Sequence, residues 1–237
     1  MTENVGVAEA APPGATATTA VVVATPWCRF DDVLGAAAAD RLLEEGCHAL
    51  MTEVRDRGAE AEAGIPPVWR CADQTARFPS LAAAVTRLAP LAMTLLGIPV
   101  PDARVSFGLT MHNELAGHEQ AQQAPVRDSS GAGTGTGTGA GTGSGSGSGD
   151  PGRITFLYHL HRRPRGFTGG QTRIFDSAVR EGLPGIAESF RDVQPDHDSL
   201  VFFPSDAWYR VRPVTSPSAK LLDSRFAFHG RLGAAAR

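Results

Sequence analysis

Cysteine is scarce. The 237 residues hold three, Cys28, Cys47 and Cys71, widely spaced and with no Cys-x-x-Cys pair. An odd count without metal-ligand spacing argues against a disulfide framework and predicts reduced, mostly buried thiols, as in a cytoplasmic protein. Excess charge is lacking as well. The 22 Lys and Arg set against 25 Asp and Glu give a formal net charge of −3, which favours neither nucleic acid nor a membrane surface as a partner. No uninterrupted apolar run reaches the length of a bilayer span. The first twenty residues, MTENVGVAEAAPPGATATTA, lack a basic stretch followed by an apolar one, so no signal peptide is expected.

What is present falls into three parts. Residues 1–24 are Ala, Thr, Pro and Gly with few large side chains, a composition that cannot offset ordering entropy and predicts disorder. Residues 25–237 are long enough for one domain with a sizeable core. Within it, Ala36–Arg57 carries Leu42, Leu43, Leu50, Met51 and Val54 at the spacing of an amphipathic helix. A second helix is expected from Ser80 as N-cap to Gly97 as C-cap, kinked at Pro90. Ala103–Asn113 reads as a strand. A Gly, Thr and Ser alternation at about 128–152 reads as a flexible insertion between two strands of that domain.

From Arg153 to Leu232 the blocks RITFLYHLHRRP, GGQTRIFD, DSLVFFPSDAWYRVRPV and DSRFAFHGRL are rich in β-branched and aromatic residues. Gly, Pro, Asp and Ser clusters separate them, as expected of short antiparallel strands. Ser177–Phe190, with Gly182, Pro184 and Gly185, reads as an irregular excursion. Two helices followed by seven or eight strands predict an α+β, mainly β, domain with the helices packed on one face of a rolled sheet. Period-two alternation puts Thr155, Leu157, His159 and His161 on one side of their strand, and Arg225, Ala227 and His229 on one side of theirs. A guanidinium in an apolar strand requires an anionic partner. Either a ligand or a buried acid such as Asp198 or Asp223 would serve. His48 reads as a surface or partly packed residue, and His197 as an exposed turn residue.

Taken together, ITFLYHL, GGQTRIFD, SLVFFPSDAWYRVRPV and SRFAFHGRL resemble the Fe(II)/2-oxoglutarate-dependent dioxygenase superfamily, in its prolyl-hydroxylase-like branch. The resemblance runs over about residues 26 to 232. It implies a double-stranded β-helix (jelly-roll, cupin-like) barrel, Fe(II) and 2-oxoglutarate as cofactors, and hydroxylation of an unactivated C–H bond in a small-molecule or peptide substrate. Carried over position by position, Arg225 would clamp the far carboxylate of 2-oxoglutarate. Thr155 and Thr172 would line that pocket, and His159 would stand where the family has a tyrosine. The metal positions would be His118, Gln120 and Tyr209, with His112 and Glu114 as an alternative pair. Gln for a carboxylate and Tyr for the distal His make a non-standard metal site. The resemblance therefore leaves two functions open: an active dioxygenase with an altered site, or a decayed member that binds or scaffolds.

Overall fold

The computed structural model describes residues 20–56, 68–113, 154–218 and 220–233. In chain order these form β1 (Val21–Val23), β2 (Cys28–Phe30), α1 (Ala36–Asp56), β3 (Val68–Cys71), α2 (Pro79–Leu96) and β4 (Arg104–His112). There follow β5 (Ile154–Leu160), β6 (Thr168–Gly169), β7 (Thr172–Arg180), β8 (Leu183–Val193), β9 (Ser199–Pro204), β10 (Tyr209–Val211), β11 (Val214–Thr215) and β12 (Arg225–Gly233). A six-stranded sheet has the order β2-β9-β5-β12-β4-β3. In a second sheet, β7 pairs with β8 on one side and with β1 and β10 on the other. All these pairings are antiparallel.

The six-stranded sheet separates two apolar layers. On one side Ile154, Phe156, Tyr158 and Leu160 of β5 join Phe226 and Phe228 of β12 and the buried faces of both helices. Helix α1 contributes Ala39, Leu42, Leu43, Cys47 and Leu50; of the stripe its spacing predicts, Leu42, Leu43 and Leu50 are buried, whereas Met51 is exposed. Helix α2 contributes Leu81, Ala84, Val85, Ala89, Ala92 and Leu96. By length and composition alone α2 would also match a membrane span, but its buried stripe packs on the sheet. Edge-to-face rings (Phe78 on Phe228 at 4.9 Å, Phe107 on Phe228 at 5.5 Å) tie the layer together. On the other side Leu157, Val201 and Phe203 meet Ile174, Val193 and Tyr209 of the second sheet. With both faces covered, β5 is buried at all seven positions.

Asp198 joins the layers. Its carboxylate accepts hydrogen bonds from the Leu34 and Gly35 amides, just ahead of α1, and from the buried Tyr158 hydroxyl at 2.6 Å. It is 2 % exposed and has φ of 60°, a left-handed conformation that Asp tolerates. Gly230 on β12 marks the closest approach between strands: a Cβ there would stand 2.4 Å from the Ser106 carbonyl oxygen and 2.3 Å from Phe156. Gly230→Ala should lower stability by about 2 kcal/mol. An unchanged midpoint in urea would show that this contact yields easily.

Several expectations are corrected. Val21–Val23, placed in the disordered segment, pair with Ser177–Val179 of β7, as a β-branched run can. Ser177–Phe190 is not irregular but the β7–β8 hairpin, turning through Glu181 and Gly182 at φ 52° and 78°. Two successive positive φ values make the tight turn favoured between antiparallel strands. Pro184 fits because β8, among the described strands, pairs with β7 alone and is an edge strand there. The N-cap of α2 is Phe78 without a side-chain bond, followed by Pro79, so Ser80 is already inside the helix. Gly97 does cap its C-terminus, at φ 68°. The helix continues through Pro90. Residues 1–19 and the Gly-rich insertion lie outside the described residues. The strands on either side of that insertion, β4 and β5, both pair with β12. None of the three cysteines forms a disulfide among the described residues, and burial pushes the Cys28 thiol up to about 11 and that of Cys47 to about 12.

Candidate functional site: a buried guanidinium between two sheets

Arg225 opens β12 on the face turned toward the second sheet, and it is 1 % exposed. Its Nε donates to the Gly170 carbonyl at 2.9 Å. Nη1 lies 3.4 Å from His112 Nδ1, and Nη2 lies 3.4 Å from Thr172 Oγ1. Register brings His112 here, directly across from Arg225 on β4. Gly170 must be glycine. Its φ is 73°, and a Cβ would stand 2.7 Å from Arg225 Cδ.

These partners are neutral, and no carboxylate among the described residues pairs with Arg225. The two acids that could have done so are engaged elsewhere. Asp198 holds the α1 entry and Tyr158, while Asp223 pairs with Arg162 and Ser218. A guanidinium has five N–H groups. Three are used here, which leaves one on each terminal nitrogen. Burial alone lowers the Arg225 pKa to about 10, so it stays charged at neutral pH. An unpaired buried cation costs several kcal/mol, and a bidentate carboxylate is the group that would offset it.

Two imidazoles flank the guanidinium. Burial first, then Arg225 and Arg70, hold His112 well below the ordinary imidazole value. An arginine can only donate, so His112 Nδ1 accepts and its proton sits on Nε2. His159 is fully buried, and its register opposite Ala227 makes it a diagonal neighbour of Arg225 on the same face. Burial, then Arg225, Arg29 and His161, keep it neutral as well.

Of the other expected site residues, Thr172 lies beside Arg225. Thr155 does not: it is on the interior face, hydrogen-bonded to Ser205, but opposite Arg231, six residues along β12 from Arg225. That is roughly 20 Å of strand. Tyr209 on β10 is buried, with its hydroxyl 3.2 Å from His229 Nε2 and its ring 5.0 Å from Phe203. His229 is four residues from Arg225 on the same face, roughly 13 Å along the strand. His118, Gln120 and Glu114 lie outside the described residues. His197, expected at the surface, has a side chain only 6 % exposed, 3.2 Å from Asp40 and stacked edge-on against His161. Sequence reasoning missed His112 as a partner of Arg225. Only the β4–β12 register reveals it.

The model of the family described as the 2OG-Fe(II) oxygenase superfamily matches residues 134–230. The matched stretch, less than half of the chain, is similar to that superfamily. Over 78 residues it is 30% identical to an uncharacterized PKHD-type hydroxylase of Synechocystis sp., a match covering 33% of this chain and 26% of that protein. The aligned part thus spans about a quarter of that relative. Among solved structures it is similar to a prolyl hydroxylase of Trichoplax adhaerens in complex with a hypoxia inducible factor oxygen degradation domain peptide fragment. The TM-score is 0.54 at 14% identity, over 88% of this chain and 84% of that one. It is also similar to a Pseudomonas putida prolyl-4-hydroxylase, at TM-score 0.43 and 18% identity, over 90% and 94% of the two chains.

The likeness to that superfamily implies 2-oxoglutarate and Fe(II). The residues around Arg225 fit the first, since they offer a buried cation with two uncommitted donors. For the second, no group of three His, Cys, Asp or Glu side chains comes together among the described residues. The one described position of the expected triad, Tyr209, is hydrogen-bonded to His229. The described residues therefore do not by themselves make up an iron site.

Proposed function

We propose that the chain is a 2-oxoglutarate-binding, prolyl-hydroxylase-type dioxygenase with a non-standard metal site, built on a double-stranded β-helix. The facing antiparallel sheets and the likeness to the Trichoplax fold support the architecture. The observation that carries the function is Arg225, a buried guanidinium without an acid among the described residues. Its terminal N–H groups would take one carboxylate of 2-oxoglutarate, and Thr172 and Gly170 would hold its orientation. The substrate would be a small molecule or a peptide, and the reaction the hydroxylation of an unactivated C–H bond. A phenol in place of the distal His favours a second reading, a decayed member that keeps the anion subsite for binding. A neutral phenol is a weak ligand until ionised, near pH 10 for an unperturbed one.

Anaerobic titration with Fe(II) and 2-oxoglutarate separates the two readings. Chelation of a protein-held Fe(II) by the keto-acid gives a weak visible charge-transfer band. A band in the natural protein, lost in Arg225→Ala, supports the dioxygenase. A band only after Tyr209→His plus Gln120→Asp means that the anion subsite has outlived the metal site. No band in either protein defeats the assignment of those two positions.

A further inference from the structure

The imidazole beside Arg225 is locked in one tautomer. The Ser199 hydroxyl donates to the Asp196 carbonyl at 2.7 Å. Its only proton is thus committed, and the 3.3 Å contact between Ser199 Oγ and His159 Nδ1 must be Nδ1–H donating to oxygen. The proton of neutral His159 is therefore on Nδ1, and Nε2 is a bare lone pair. Nε2 is buried and has no hydrogen-bond partner among the described residues, an arrangement rare enough to require an explanation. Where the resembled family has a tyrosine able to donate, this chain presents an acceptor.

Resting on the reading of Arg225 as a carboxylate subsite, we propose that His159 makes the subsite proton-coupled: a carboxylate enters together with one proton, which is taken up at His159 Nε2. Without that proton, a carboxylate oxygen and the Nε2 lone pair would face each other in a water-poor interior, a repulsive pairing. With it, the imidazolium donates through Nε2 to the carboxylate and still donates through Nδ1 to Ser199, so the Ser199–Asp196 bond need not break. The balance is simple: one proton moves from solvent to Nε2, and no covalent bond of the ligand changes.

The charges acting on His159 explain why the proton is absent beforehand. Arg225 from β12, Arg29 from β2 and His161 from its own strand all disfavour the imidazolium, as does burial. His112 from β4 is neutral and accepts from Arg225. A bound carboxylate would cancel the largest of these charges, that of Arg225. A group whose pKa is low in the free protein and raised in the complex takes up a proton on binding. Affinity then rises as pH falls between the two values, by up to about tenfold per pH unit.

The test is calorimetric titration of the full chain with 2-oxoglutarate, without metal, from about pH 6 to about pH 8, where the ligand's own carboxyls are ionised. Buffers of different ionisation enthalpy report protons taken up per ligand. The expected result is an uptake approaching one, with tighter binding at lower pH. In His159→Gln, whose amide donates but does not titrate, binding should persist with no uptake and a flat pH profile. His159→Tyr should behave likewise and guards against misfolding of the first variant. Wild-type binding without proton uptake, or uptake that survives in both variants, overturns the inference while leaving the Arg225 reading intact. No binding at any pH defeats both.

Discussion

Arg225→Met should weaken 2-oxoglutarate binding at least a hundredfold, about 2.7 kcal/mol, while leaving the unliganded protein as stable as before or up to about 2 kcal/mol more stable. The two effects have opposite signs because they come from one fact. The guanidinium is fully buried, its three partners are neutral, and the unliganded fold bears its desolvation. Methionine has similar length and no charge, so the apo protein loses little beyond three hydrogen bonds to neutral acceptors. The bound state loses a charge-assisted bidentate contact in a dry interior, where such a contact is strongest. Calorimetry and urea unfolding on the same preparations check both halves. A variant that unfolds much earlier and still binds 2-oxoglutarate normally would mean that Arg225 is a structural residue.

Asp198→Ala should destabilise the fold by about 3 kcal/mol or more, the largest loss expected of any side chain off the apolar core. Three costs combine. The Leu34 and Gly35 amides at the entry to α1 lose their acceptor, worth about 1 kcal/mol for a helix cap. The Tyr158 hydroxyl becomes a buried orphan, at about 1–3 kcal/mol. Alanine must also hold a φ of 60°, which costs about 1 kcal/mol or more. Asp198→Asn keeps one acceptor and tolerates the backbone, so it should lose less than half as much. Tyr158→Phe removes only the orphan and should cost about 1 kcal/mol. Equal unfolding midpoints for wild type and Asp198→Ala would refute this account of how α1 is fastened to the sheet.

Much of this interior could be read from alternation. Leu157 and His159 face the second sheet and Phe156 and Tyr158 face the helices, because a strand buried on both sides still obeys a two-residue period. Arg225 was conspicuous for the same reason. What was not legible depends on partners distant in sequence. His112 is 113 positions from Arg225, and no local pattern reports that β4 lies beside β12. Asp198 looked like one of two acids available to Arg225, when its real partners are two amides more than 160 residues earlier. Thr155 has the right parity but the wrong end of the strand, since parity fixes the face and not the depth. The β7–β8 hairpin was hidden by its own turn chemistry. Gly182, Pro184 and Gly185 resemble breakers, yet on an edge strand they interrupt nothing that needs an amide. His197 shows the same limit: a polar turn residue is buried because His161 and Asp40 happen to converge on it.

The division of β5 into two faces also separates what selection can act on. Ile154, Phe156, Tyr158 and Leu160 keep the chain folded, as part of the core that includes the buried faces of the helices. Thr155, Leu157, His159 and His161 answer to whatever occupies the space between the sheets. A lineage can therefore change its chemistry one odd-numbered residue at a time, or abandon it, while the even-numbered wall goes on supplying stability. His159 and Tyr209, at positions where the resemblance implies a tyrosine and a histidine, would be the kinds of exchange such a wall tolerates. Drift on one face leaves the other untouched, so this scaffold would outlast any single reaction it hosts.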